Sequence, residues 1–217
     1  MRAALAFAFF AVGLVVSNAL AADNEDWRPL FNGRDFEGWK AIDGPLTAWS
    51  VGDGILSCSG SGGGGWLSTT EEYDDFELRL EFRVPDGGNS GVFLRAPWQG
   101  NPAFAGMEIQ VLDDAAEQYA NLKPVQYCGS LYGVAAADPR VSKPAGEWQS
   151  MHIHCVGRTV RVVLNDTLIV HADLDDYLDQ RETHPGIERA SGHIGLQNHG
   201  SKLDYRNVEI RPVRSAE

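Results

Sequence analysis

Residues 76–84 read Phe76-Glu77-Leu78-Arg79-Leu80-Glu81-Phe82-Arg83-Val84. Apolar and charged side chains alternate without a break. That two-residue period predicts a strand with one buried and one wet face, because successive side chains on a strand point to opposite sides. The same reading extends outward. Trp148 to Val156, Thr159 to Leu164, Leu168 to Ala172, Ser191 to Gln197 and Leu203 to Pro212 predict further strands. Gly52-Asp53-Gly54 and Asn165-Asp166 carry turn chemistry, and the second closes a hairpin between Val160–Leu164 and Leu168–His171. No stretch holds a helical period. The best helical candidate is the short Asp113 to Asn121 segment, in a loop. The acidic stretch from Asp173 to Arg189 is expected as a surface excursion with little structure or a short helix. Many short strands, Gly and Pro turns and no strand–helix alternation predict an all-β sandwich or barrel. Six Trp, nine Phe and six Tyr can fill its core.

The chain has 217 residues, with 18 Lys and Arg against 30 Asp and Glu. A net charge of -12 argues against nucleic acid and anionic membranes as partners, since both are bound through basic side chains. Residues 1–21 read as a secretory signal peptide: Arg2, an apolar run from Ala3 to Val16, and the small-x-small pattern Ala19-Leu20-Ala21. This predicts export to the periplasm or outside the cell, with 22–217 as a single mature domain. The apolar run is short for a membrane span, and no other segment approaches that length, so no membrane insertion is expected. Without Arg2 the balance is 17 basic to 30 acidic residues, a net of -13. Cys58, Cys128 and Cys155 are odd in number and irregularly spaced. They read as buried small hydrophobes, with one bridge plus a free thiol as the alternative.

The stretch richest in chemistry is Gly106-Met107-Glu108-Ile109-Gln110-Val111-Leu112-Asp113. Met107, Ile109 and Val111 share one strand face, the expected core. Glu108, Gln110 and Leu112 share the other. A bulge or strand end at Asp113 would turn its carboxylate toward Glu108 and Gln110. The i, i+2, i+5 spacing resembles that of laminarinase-like glycoside hydrolases, where all three positions are acidic. Two carboxylates so placed could divide acid and base roles on a sugar. The alternatives are an exposed polar face, or a sheet that binds sugar without cutting it. Further polar groups stand at strand ends: Asn89, Arg95, Lys143, Gln197 and His199. His152 and His154 alternate on one strand face and read either as a chelating pair or as a solvent-facing or satisfied pair.

Taken in order, Gly38-Trp39, Trp49-Ser50-Val51, Gly54-Ile55-Leu56, Leu67-Ser68-Thr69, Asp75-Phe76-Glu77-Leu78, Asn89-Ser90-Gly91, Gly106-Met107-Glu108-Ile109-Gln110, Gly146-Glu147-Trp148, Gly195-Leu196-Gln197-Asn198-His199-Gly200 and Tyr205-Arg206-Asn207 resemble the 3-keto-disaccharide hydrolase family. The likeness runs from about Trp27 to Val213. Two departures are Gln149, where the family usually has Asn, and Tyr205, where Phe is more usual. The resemblance implies a two-sheet antiparallel jelly roll of the concanavalin A-like lectin and glucanase type, with the sugar site on the concave sheet. It implies cleavage of glycosides already oxidised to a ketone at C3. On that reading Glu108 or Asp113 is the base that takes the C2 proton and His199 the acid. Arg95 or a divalent metal steadies the enolate, and Gln110, Gln197, Asn89 and Lys143 hold hydroxyls or the ketone. An oxidoreductase in the same compartment would supply the substrate. Two rivals stand beside it. One is a direct glycosidase using Glu108 and Asp113 on unoxidised glycans. The other is a non-catalytic glycan-binding module stacking sugars on Trp66, Trp98 or Tyr132. A structural calcium is a further expectation, carried by hard carboxylate oxygens without any EF-hand loop.

Overall fold

The computed structural model describes residues 26–213, so the expected signal peptide lies outside the described residues. Among the described residues thirteen strands run in order: β1 (Arg28–Pro29), β2 (Trp39–Ile42), β3 (Trp49–Gly52), β4 (Ile55–Cys58), β5 (Trp66–Thr69), β6 (Phe76–Arg83), β7 (Asn89–Ala96), β8 (Met107–Leu112), β9 (Gln149–Val156), β10 (Thr159–Leu164), β11 (Thr167–Asp173), β12 (His193–Gln197) and β13 (Leu203–Pro212). They form two antiparallel sheets. The larger has the order β11-β10-β9-β6-β13-β4-β3, with β1 beside β13. The smaller has the order β2-β5-β12-β7-β8. The strand rhythm predicted an all-β sandwich or barrel, and the structure is a two-sheet sandwich of the jelly-roll kind that the family resemblance implies.

The alternation in β6 does what it predicts. Phe76, Leu78, Leu80 and Phe82 enter the core between the sheets, where they meet Val92 and Leu94 of β7 and Ile109 and Val111 of β8. The wet face carries a ladder of ion pairs across β6 and β13: Arg79–Glu209 at 2.6 Å, Arg83–Asp204 at 2.7 Å and Arg211–Glu77 at 3.0 Å. His152 and His154 both face Glu77, at 2.8 and 3.6 Å, so the pair is a satisfied one engaged by a carboxylate of the next strand. Asn165 and Asp166 both take positive φ, the backbone that a two-residue hairpin needs. The helical candidate Asp113 to Asn121 holds only a short 3-10 turn at Glu117–Tyr119, and the acidic stretch from Asp173 to Arg189 holds 3-10 turns at Leu174–Gln180 and Pro185–Glu188.

All three cysteines are free and buried. Burial pushes the Cys155 thiol up to about 11 and the Cys128 thiol up to about 12, which keeps both protonated and inert. Tyr205 of β13 reaches across the core to Ser90 of β7, hydroxyl to hydroxyl at 2.8 Å. The Ser90 hydroxyl also lies 2.7 Å from the Gln197 carbonyl oxygen. A polar contact therefore ties the two sheets together directly behind the outer face of the smaller one.

Candidate functional site

The outer face of the smaller sheet is built by register. Gly91 of β7 stands opposite Gln110 of β8, and Phe93 opposite Glu108. Gly195 and Gln197 of β12 stand opposite Ser68 and Trp66 of β5. Two-residue alternation puts all of these on one side. A cavity of about 150 Å³ opens there, walled by Asn89, Glu108, Gln110, Tyr132, Gln197 and His199, with Asn101, Ala103 and Phe104 closing one flank. Six expected site residues thus meet in one place.

Glu108 and Gln110 are not an exposed polar face: each is only 4% accessible. Burial alone pushes the Glu108 carboxyl up to about 8, so near neutral pH it holds its proton. The space it occupies exists because residue 91 is glycine; a methyl group there would overlap Glu108 Oε1. Gln110 Nε2 donates to Asn89 Oδ1 at 2.8 Å, which orients both amides. Gln197 Oε1 is buried without a hydrogen-bond partner. His199 is exposed on the rim, in a turn held by Asn198. The Asn198 amide donates to the Ser61 carbonyl at 2.7 Å, and its oxygen accepts from Gly200 N at 3.1 Å.

Tyr132 arrives on a segment that runs along the open edge of β8. Tyr132 N donates to Glu108 O and Gln110 N to Ser130 O, so this segment covers the edge strand and walls the cavity at once. The Tyr132 hydroxyl is held by Gln126 Nε2 at 3.1 Å. The other flank is a one-turn helix, α1 (Pro102–Ala105). Asn101 caps it by accepting from Ala103 N at 3.1 Å, and Pro102 occupies the first position, where a missing N–H costs nothing. Asn101 and Phe104 were not foreseen as wall residues. The Asn-Pro pair, a cap followed by a helix-starting proline, was the available signal.

Three expected site residues are elsewhere. Asp113 does not turn toward Glu108, because the β7–β8 register continues unbroken to Asn89 opposite Leu112 and no bulge forms. Its carboxylate instead accepts from Gly87 N at 2.9 Å and Ala115 N at 3.3 Å, fastening two turns. Leu112, expected beside Gln110, joins the main core. Arg95 should share the Phe93 face by alternation. However, the β12 register shifts between His193 and Gly195, and Arg95 takes φ +48. Its guanidinium is buried, 1% accessible, and donates to the carbonyls of Asp74, Gly157 and Arg189 and to the Asp75 carboxylate. Lys143 belongs with the larger sheet: it is exposed and its ammonium donates to Trp148 O at 3.0 Å.

The aromatic platforms expected of a binding module are differently used. Trp98 is stacked on His193 at 4.2 Å, with the Lys40 ammonium 3.4 Å from its ring centroid, so both its faces are taken. Trp66 is buried in a small second apolar cluster with Ile42, Phe93, Ala96 and Ala103. Among the described residues no group of three or more His, Cys, Asp and Glu gathers as a metal site. The cavity offers one carboxyl, one imidazole and several amides.

The arrangement can do proton chemistry on a polyhydroxylated ring: one buried carboxyl, one solvent-facing imidazole and neutral amides that grip hydroxyls or a carbonyl. A curated 3-keto-disaccharide hydrolase from Bacteroides thetaiotaomicron is 29% identical over an alignment of 232 residues, covering 88% of this chain and 80% of the relative. A Parabacteroides distasonis crystal structure, provisionally named a glycosyl hydrolase, superposes with a TM-score of 0.75 at 33% identity, covering 86% of this chain and 99% of that one. A second such structure from the same organism gives a TM-score of 0.78 at 26% identity, covering 92% and 99%. Residues 26–211 match the 3-keto-alpha-glucoside-1,2-lyase-like domain, and the chain belongs to that family.

Proposed function

We propose that this protein is an exported enzyme that cleaves the glycosidic bond of 3-keto-glycosides, 3-keto-disaccharides among them, by elimination followed by hydration. The observation that carries the reading is the solitary buried carboxyl of Glu108, set among amides with His199 on the rim. A ketone at C3 acidifies the hydrogen at C2. Ionised Glu108 takes that proton, and the C2–H electron pair moves into an enolate on O3. As the enolate collapses, a C1–C2 double bond forms and the C1–O bond breaks. The leaving oxygen takes a proton from His199. Water then adds at C1, and C2 regains a proton, which completes net hydrolysis. Gln110, Asn89, Gln197 and Tyr132 grip the hydroxyls and the ketone. Neutral amide and phenol donors then steady the enolate, the role first expected of Arg95. A divalent cation is a further proposal, to be read from added metal and chelator.

The test incubates purified protein with matched 3-keto and unoxidised glucosides, with and without divalent metals. Cleavage confined to the 3-keto substrate is expected, with deuterium from solvent appearing at C2. Cleavage of the unoxidised glucoside, or cleavage with no deuterium at C2, would overturn the mechanism. A direct glycosidase would need a second carboxylate, and Asp113 is committed to turn amides. Binding of both sugars with cleavage of neither would favour the binding module.

A further inference from the structure

The wet face of the larger sheet, on the far side of the core from Glu108, carries an open groove of about 610 Å³. Trp27, Ser150, His152, Val163, Asp166 and Glu209 are among its walls, and it shares no residue with the Glu108 cavity. Trp27 stands just ahead of β1 and leans over the sheet. Its indole centroid lies 4.4 Å from the Arg79 guanidinium and 5.1 Å from that of Arg211, and meets the His152 ring edge-on at 5.5 Å. Those arginines are in turn paired with Glu209 and Glu77 across β6 and β13. A half-buried tryptophan is thus fixed beside the groove by its charged neighbours.

Two features select a ligand. The first is that the charges around the groove cancel in pairs: Arg79 with Glu209, Arg211 with Glu77 and Arg206 with Glu81. An anion would meet carboxylates and a cation would meet guanidiniums, so the face favours a neutral molecule. The paired groups stay within reach, since the side chains of His152, Arg79 and Glu209 keep 42%, 38% and 30% of their surface exposed. The second feature is a mixed lining. Trp27 and Val163 offer apolar surface, while Ser150, Asp166 and Glu209 offer a hydroxyl and carboxylate oxygens. A pyranose has the matching halves, with C–H groups on its ring faces and hydroxyls around its edge. The groove has about four times the volume of the Glu108 cavity and falls in the ~300–1,000 Å³ range of ligand sites.

We propose that this groove is a second, non-catalytic carbohydrate site that takes a neutral oligosaccharide chain, one ring of which packs against Trp27. Because the two sites share no residue, the proposal stands whether or not the Glu108 cavity cleaves 3-keto-glycosides. A chain held here raises the local concentration of glycan around the protein and leaves the Glu108 cavity open.

The full chain is titrated calorimetrically with maltohexaose, cellohexaose and laminarihexaose, and with a hexagalacturonate as the charged control. At least one neutral hexasaccharide should bind, and should bind the Glu108→Gln variant within twofold, because that variant keeps the groove. Trp27→Ala should weaken the same binding tenfold or more and leave turnover of methyl 3-keto-glucoside within twofold. Raising salt from about 50 to about 500 mM should change Kd less than twofold, as a neutral ligand requires. If melting shows that Trp27→Ala is unfolded, Ser150→Tyr takes its place. Position 150 is an exposed strand site that accepts an aromatic residue, and the added ring fills the groove, so binding should again fall tenfold or more. Binding of none of the neutral hexasaccharides, tighter binding of the hexagalacturonate, or unchanged binding in a folded groove variant would overturn the site. So would a loss of turnover equal to the loss of binding. Wild type that binds but cleaves no 3-keto-glycoside removes the function reading instead and leaves this site in place.

Discussion

Glu108 sits where an ionised carboxylate is costly. Its ordinary value is 4.5 and its value in the fold is about 8. Between those pH values an unfolded chain has released the proton and the native state still holds it. Native stability therefore falls as pH rises through this window and levels off above about 8. Glu108→Gln cannot ionise, so thermal or denaturant unfolding should find it more stable than wild type. The gain should grow from pH 5 to 8 and reach on the order of 2–4 kcal/mol. The same variant should lose turnover of a 3-keto-glycoside by 100-fold or more, and full activity would remove Glu108 from the chemistry. Wild-type kcat/KM should rise with pH as the base form grows, with an apparent pKa near 8. Gly91 is the other half of this device. Gly91→Ala should leave the fold intact but displace the carboxyl, with a large loss in kcat and loss of the raised titration in a pH profile.

Short elements hold the walls in place. The α1 helix is a single turn, too short to persist without its cap and its packing over the sheet. Asn101→Ala removes the cap at Ala103 N, a loss of about 1 kcal/mol of local stability. Because Asn101 also lines the Glu108 cavity, KM for a 3-keto-glycoside should rise more than kcat falls. The Tyr205–Ser90 contact behind β12 is a second support. Tyr205→Phe removes the hydroxyl and leaves Ser90 free to donate to the Gln197 carbonyl. Chemical denaturation should show a cost of only about 1 kcal/mol, with activity retained.

In the molecule as a whole, the polar machinery divides between the two sheets. The larger sheet spends its charges on cross-strand ion pairs, and the smaller sheet gathers amides and one acid in a cavity. Arg95 belongs to neither group: it ties loops around Asp74, Gly157 and Arg189 to one end of the sandwich. Arg95→Ala should therefore unfold the protein by several kcal/mol, and the remaining folded fraction should keep its KM, which a substrate-binding arginine would not allow. Much of this architecture was legible along the chain. The alternation of Phe76 to Arg83 and the turn at Asn165-Asp166 are local, and each dictates its element through side-chain parity or backbone preference. Glu108 and Gln110 could be read on one face because β8 alternates regularly there, whereas Asn89 and Gln197 could be placed only at strand ends, and it is strand pairing that brings them beside that face. Asp113 and Arg95 could not be placed, because a bulge is a property of two paired strands. The bulge expected beside Asp113 is absent, and an unforeseen one beside Arg95 turned its side chain away. The acidic balance and the strand rhythm thus follow from residue identity and short-range spacing. Which carboxyl is buried alone depends on contacts between residues as far apart in the chain as Trp66 and Gln197, and only the packed sheets bring those together.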